Sequence, residues 1–378
     1  MRRSSPLGSP GAALLLALIV VASACGGSGG EGESRRPAPL APGLRLDQVQ
    51  VLGTHNSYHL RAFPEVWRTL QESVPAIAAE IDYEHPPLPE QFDLGVRQIE
   101  LDLADDPAGT KYAPPPGETY PNLPDDPVMR EPGFKVLHQA GVDTNSSCLT
   151  LAACLGLVRD WSEAHPGHVP IAISLDLKDA DFGPERLDRL EAEIRTAIPA
   201  RQLLTPDAVR GDFPTLGAAV RERGWPVVDR IRGRIWIYAA SSEFRRTALA
   251  RHPGLRGSAV FTTSEPGAAD AAVKNAEEPG ADRATIADAL RANMIVRTRA
   301  DADTYEARAG NTARRDAALA SGAHLVATDY ELPDARFGTG YVVRIPGGTP
   351  GRCNPVTAPP GCRPQDVEDP ATLTRPRG

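Results

Sequence analysis

The chain has 378 residues and a formal net charge of −8, from 41 Lys and Arg against 49 Asp and Glu. That balance excludes broad electrostatic attraction to nucleic acid or to an anionic membrane surface, so any lipid or phosphate ligand must be captured by a local site. With 41% hydrophobic residues there is material for a sizeable core, and beyond the N-terminal segment no apolar run is long enough to cross a bilayer.

The first residues carry Arg2-Arg3, an apolar stretch from Ala12 to Ala22, and then Ala22-Ser23-Ala24-Cys25. This is the layout of an export signal over residues 1–24, too short and wrongly flanked for a stable membrane span. Its end resembles the lipobox of bacterial lipoproteins, in which the cysteine is lipidated, with Ala22 standing where Leu is commoner. Ordinary cleavage after Ala24, leaving Cys25 as a free thiol, is the alternative. Residues 25–45, rich in Gly, Ser, Pro and charge, lack apolar periodicity and read as a flexible tether. The expected location is outside the cell, lipid-anchored to the outer face of the membrane or else secreted.

Residues 46–345 suit one domain. Eight apolar, β-rich segments fall at 48–53, 96–103, 134–138, 171–177, 234–239, 258–262, 293–298 and 324–328. Helical spacing of apolar residues appears at 149–163, 184–198, 281–292 and 304–320, with a shorter helix around 64–72. Alternating strand and helix implies parallel pairing with right-handed crossovers, and eight strands imply an α/β fold of the (β/α)8 TIM-barrel type. Residues 104–133, crowded with Pro, Gly and Asp, predict a long loop over the barrel mouth. Residues 346–378 are a Pro- and Gly-rich extension whose last fifteen or so residues read as a frayed tail. Cys148 with Cys154 and Cys353 with Cys362 form two local pairs; export to an oxidising compartment predicts two disulfides, and no zinc-like spacing stands beside them.

Four polar motifs sit where strand segments end: His55-Asn56, Glu100-x-Asp102, His138 and Asp176-x-Lys178. Each alone is commonplace, as a turn, a solvated strand face or a core histidine. Their recurrence at the C-terminal ends of successive strands is not, because that is where parallel barrels place their active sites. Glu100 and Asp102 are two apart and share a face, where unpaired carboxylates are costly. Asn56, Glu100, Asp102 and Asp176 offer only oxygen, which favours Ca2+ or Mg2+ over zinc. A network of ion pairs with Lys178, Arg97 or Arg299 is the alternative use of these acids.

At these residues the chain closely resembles the calcium-dependent phosphoinositide phospholipase C family, in particular its small secreted bacterial branch. The resemblance runs from about Leu46 to Ile345. It is carried by Thr-His-Asn-Ser-Tyr (54–58), Gly-Val-Arg-Gln-Ile-Glu-Leu-Asp (95–102), Val-Leu-His (136–138) and Ile-Ser-Leu-Asp-Leu-Lys-Asp (173–179). It continues in Val-Arg-Thr-Arg-Ala-Asp (296–301) and Ser-Gly-Ala-His-Leu-Val-Ala-Thr-Asp-Tyr (321–330). The resemblance implies that His55 and His138 are the catalytic pair and that Asn56, Glu100, Asp102 and Asp176 bind Ca2+. Phosphatidylinositol at a membrane surface would be the substrate, attacked by its own inositol 2-hydroxyl to release diacylglycerol and a cyclic inositol phosphate. His138 would be the acid toward the leaving oxygen, His55 would meet the phosphoryl oxygen, and Glu100 or Asp102 would be the base. Asp176 stands where the animal enzymes usually have Glu. Their EF-hand, C2 and membrane-binding modules are missing from the sequence. Lys178, Arg297 and Arg299 are candidate phosphate contacts, with a plain Lys178–Asp176 ion pair as the other reading. Tyr330 is a candidate stacking partner for the inositol ring. No nucleic-acid or protein partner is implied. A glycerophosphodiester phosphodiesterase would share the barrel, but its usual His-Arg-Gly and Glu-Asn-Thr motifs are missing. A non-catalytic headgroup-binding lipoprotein would not need both histidines and all four oxygen ligands.

Overall fold

In the computed structural model, which describes residues 43–112, 126–179, 181–347 and 350–374, short buried strands alternate with helices. The first part runs β1 (Val49–Thr54), α1 (Pro64–Ser73), α2 (Pro75–Glu80), α3 (Leu88–Asp93), β2 (Val96–Asp106) and β3 (Gly133–Val136). Then come α4 (Leu151–Ala164), β4 (Ile171–Leu177), α5 (Pro184–Ala197), α6 (Pro206–Arg210), α7 (Leu216–Arg223), α8 (Val228–Ile231), β5 (Ile235–Ala239) and α9 (Ser242–Arg251). The rest is β6 (Val260–Thr262), β7 (Val273–Asn275), α10 (Arg283–Arg291), β8 (Ile295–Arg299), α11 (Tyr305–Ala309), α12 (Ala313–Ala320), β9 (Leu325–Thr328), β10 (Gly351–Cys353) and α13 (Pro364–Val367).

Eight of these strands are parallel neighbours in the order β6-β5-β4-β2-β1-β9-β8-β7, and the Thr263–Val273 bridge nearly closes the ring between β6 and β7. The TIM-type barrel is therefore present, though not with the expected eight strands. Residues 134–138 do not enter the ring. β2 runs on to Asp106 and β3 folds back on it antiparallel, Leu103 facing Val136 and Asp106 facing Gly133. The missing member is β7, a Val-Lys-Asn segment too short and too mixed in polarity to register as a strand.

The helices are held by ordinary devices. Thr150 Oγ1 caps α4 by accepting from the Ala153 N–H at 3.2 Å. Leu187, Leu190 and Ile194 of α5 are fully buried at helical spacing, each worth roughly 1.5–3 kcal/mol. The single helix expected over 304–320 is two, because Gly310 takes a left-handed conformation at the end of α11.

The expected frayed tail is also corrected as far as residue 374. β10 pairs antiparallel with β1, and Val367 and Glu368 are fully buried. The Glu368 carboxylate accepts from Arg97 Nε at 2.9 Å and from the Val169 N–H at 2.8 Å. Arg97, on the outward face of β2, thereby has a partner far from Glu100 and Asp102. Both expected disulfides are present, Cys148–Cys154 and Cys353–Cys362. Cys25 and the export signal lie outside the described residues.

Candidate active site

The turn after β1 is sewn to both neighbouring strands. The His55 N–H donates to the Thr328 carbonyl at 3.0 Å, and the Ser57 N–H to the Glu100 carbonyl at 3.0 Å, while the Glu100 N–H donates to Ser57 Oγ at 2.8 Å. Asn56 sits at φ 45°, a left-handed conformation that Asn tolerates better than most residues. The kink sends successive side chains apart. His55 reaches Asp329 beyond β9, and Asn56 reaches Asp102 on β2 and Tyr83. Gly53 makes the approach possible, since a Cβ there would lie 1.9 Å from Gln98 Oε1.

Glu100 and Asp102 share a face of β2 and are 8% and 0% exposed; Asp176 stands beside Asp102 in the parallel register. Burial pushes Glu100 up to about 7 and Asp102 up to about 6, even though Arg297 and Lys178 pull each the other way. Arg297 holds both Glu100 and Glu277, the latter at 2.6 Å. Lys178 Nζ lies 2.7 Å from Asp102 Oδ2 and 2.7 Å from Asp176 Oδ2. Asn56 has two satisfactory partners and one amide. With Nδ2 donating to Tyr83 Oη at 3.1 Å, its carbonyl faces the Asp102 oxygens at 3.0 and 3.2 Å, acceptor against acceptor. Turned over, the amide donates to Asp102 and accepts from Tyr83. The second orientation suits the metal-free protein and the first suits a bound cation. All-oxygen donors, raised carboxylates and this amide fit a hard divalent ion such as Ca2+. The three acids are not drawn onto one centre, however. Among the described residues only His59, His138 and Asp143 bring three such donor atoms within 4.8 Å of one another.

That last group is held by hydrogen bonds. Asp143 Oδ2 accepts from His59 Nε2 at 2.8 Å and from His138 Nδ1 at 2.9 Å. Burial works against a charged His138, but the bond to Asp143 outweighs it and its pKa is raised. His55 is the reverse case. Its Nδ1 faces Asp329 Oδ1 at 2.9 Å, yet burial and the Arg299 guanidinium depress its pKa to about 3. Arg299 bonds Asp329 Oδ2 at 2.7 Å and approaches His55 Nε2 at 3.3 Å. A neutral His55 gives its one proton to Asp329, so Nε2 carries a lone pair, which here accepts from Arg299 Nη1. His85 supports this corner from behind, with Nε2 2.8 Å from the His55 carbonyl and Nδ1 on Glu331.

Asp143, Asp329, His59, Tyr83 and His85 were not singled out by sequence reasoning. Asp329 directly follows the last barrel strand, the position that flagged the other motifs; Asp143 lies in a loop with no such signal. Arg297, Arg299 and Lys178, expected as phosphate contacts, all hold carboxylates here. Tyr330 was expected either to stack on the inositol ring or simply to pack. It is 2% exposed and its ring packs edge-on against Tyr341 at 5.7 Å between centroids.

A barrel with buried carboxylates at its C-terminal strand ends and two aspartate-backed histidines, one after β1 and one after the antiparallel β3, is suited to metal-assisted acid–base chemistry. Comparison narrows the class: the sequence model of the Ca2+-dependent phosphoinositide phospholipase C family matches residues 44–355. The chain belongs to that family and is a phosphodiester-cleaving enzyme of the phosphoinositide phospholipase C type. A calcium-dependent phosphoinositol-specific phospholipase C from Pseudomonas sp., in its apo form, is similar in structure at TM-score 0.53 and 17% identity, covering 84% of this chain and 97% of that one. The enzyme titled a Ca2+-dependent phosphatidylinositol-specific phospholipase C from Streptomyces antibioticus has a TM-score of 0.49 at 17% identity, over 76% of this chain and 95% of that one. A glycerophosphodiester phosphodiesterase from Parabacteroides distasonis has a TM-score of 0.34 at 13% identity, over 78% and 97%. No curated protein sequence matches.

Proposed function

We propose that this enzyme cleaves phosphatidylinositol in a calcium-dependent reaction, releasing diacylglycerol and a cyclic inositol phosphate. The observation that carries the reading is geometric: His55 and His138 each hold Nδ1 2.9 Å from an aspartate, Asp329 and Asp143, which fixes both rings at the mouth. The inositol 2-hydroxyl oxygen forms the new bond to phosphorus while its proton passes to His55 Nε2. The bond from phosphorus to the diacylglycerol oxygen breaks, and His138 Nε2–H protonates that oxygen. His55 is thus the base rather than the phosphoryl contact that the resemblance implied, because its proton is committed to Asp329. Glu100 and Asp102 are left to the metal. Bound by Asn56, Glu100, Asp102 and Asp176, Ca2+ would withdraw charge from a phosphoryl oxygen and acidify the attacking hydroxyl. The two disulfides accord with an oxidising compartment, so export through residues 1–24 with a lipidated Cys25 completes the reading.

Leaving-group chemistry tests it. Replacing His138 by Ala should slow release of diacylglycerol by roughly 10²–10⁴-fold, the usual worth of a general acid. The same variant should cleave an aryl inositol phosphodiester, whose leaving group departs unprotonated, with far less loss, whereas His55→Ala should slow both. Equal loss on both substrates for His138→Ala removes His138 from the acid role, and no turnover of phosphatidylinositol by the native enzyme removes the substrate.

A further inference from the structure

Lys178 follows β4 by one residue, its backbone fixed by an N–H bond to the Leu103 carbonyl at 2.9 Å. Its ammonium spans Asp102 Oδ2 and Asp176 Oδ2 at 2.7 Å each, using one oxygen of two of the four groups that would hold a divalent ion. We propose that Lys178 is a resident competitor of that ion, clamping Asp102 to Asp176 until the ion displaces it and thereby setting how tightly the ion binds. The inference rests on the calcium reading of these oxygens.

A hard cation needs its donor oxygens turned onto one centre, and an ammonium seated between two of them occupies the lone pairs the ion requires. Lys178 takes one oxygen each of Asp102 and Asp176 while Arg297 takes one of Glu100, and the three acids do not converge on one centre. Of the two cations paired with Glu100, Asp102 and Asp176, Lys178 is the one with room to leave. Arg297 is 3% exposed and fixed between Glu100 and Glu277, whereas the Lys178 side chain is 29% exposed on a flexible four-carbon stem. Asp102 is fully buried and Asp176 half exposed, so the ammonium has a way out on the Asp176 side. Once displaced it is an unpaired cation at the mouth, available to an anionic substrate.

Calcium titration calorimetry and melting temperature with and without Ca2+, on native protein, Lys178→Met, Lys178→Arg and Asp102→Asn, test the proposal. Lys178→Met removes the competitor and keeps the stem. Its Kd for Ca2+ should fall by roughly tenfold, the scale of one partly buried ion pair. Its Ca2+-induced rise in Tm should exceed that of the native protein, since only the ion-free state has lost a counter-ion. Lys178→Arg, whose planar fork grips carboxylates more firmly, should bind Ca2+ more weakly than the native protein. Unchanged affinity in Lys178→Arg, or a Lys178→Met variant destabilised equally with and without Ca2+ at unchanged Kd, overturns the proposal and leaves the calcium site standing. Absence of calcium heat in the native protein, with Asp102→Asn indistinguishable from it, overturns the site and the proposal together.

Discussion

His55 and His138 are the same residue type shifted in opposite directions by what stands behind them. Each has Nδ1 on an aspartate, at 2.9 Å in both cases. The difference is Arg299, whose positive charge lies against His55 and joins burial in depressing its pKa, while Asp143 raises that of His138 against burial. The acid form of His138 exists below its raised folded-state value and is lost as pH climbs through it, so in the proposed reaction it would set the alkaline limb of activity. Asp143→Asn removes the cause of the rise, so the limb in the kcat–pH profile should move to lower pH, with greater loss at pH 8 than at pH 6. The linked stability has the same sign. It is fully present below the unfolded histidine value near 6.5 and lost as pH rises through the folded one. An alkaline limb that stays in place in Asp143→Asn contradicts the assignment. His55, Glu100, Asp102 and Asp176 were candidates in the sequence because they end apolar runs, a position with a physical meaning in a barrel; His138 was flagged by the same pattern, although its strand lies outside the ring. Asp143 was not, because a loop aspartate five residues from a histidine has no pattern of its own.

At the scale of elements, long buried strands announced themselves and short ones did not. β2 is buried along its whole length and β4 along its first five residues, so both are covered on both faces. In β4 this reads as an apolar run, whereas in β2 the apolar Val96, Ile99, Leu101 and Leu103 are interspersed with buried Arg97, Gln98, Glu100 and Asp102. Residues 134–138 also read as a short β-rich segment, yet their place in the sheet depends on β2 continuing past the barrel rim to Asp106, a tertiary fact that local pattern does not encode. The C-terminal segment was misread for a related reason. Its Pro and Gly content signals irregular backbone, and irregular backbone can still be anchored, here through Glu368 on the buried Arg97. Breaking a buried pair by removing one partner typically costs about 3–5 kcal/mol. Glu368→Ala should show a loss of that size in urea unfolding, with activity at low denaturant largely retained because the pair is on the outward face of β2. A loss under about 1 kcal/mol would place the pair among weakly contributing surface contacts.

For the whole molecule, the architecture separates tasks. The outer helices and the C-terminal segment bury the apolar faces of the barrel, while the strand ends carry nearly all the chemistry-bearing side chains. The acidic balance leaves capture of an anionic lipid to that mouth, and a lipid on Cys25 would supply the proximity that surface charge does not. Mass spectrometry of the mature N-terminus should find diacylated Cys25; an unmodified N-terminus at or beyond Cys25 makes the enzyme freely secreted. The central claim is the calcium-dependent cleavage of phosphatidylinositol, and it is tested by measuring diacylglycerol release from phosphatidylinositol vesicles as free Ca2+ is raised from chelator-buffered zero. The account predicts release that is undetectable in excess chelator, saturates with Ca2+, and is at least about a hundredfold lower in Glu100→Gln or Asp102→Asn, the scale of losing one transition-state stabiliser. Full activity in excess chelator, or hydrolysis of glycerophosphodiesters with none of phosphatidylinositol, would contradict it.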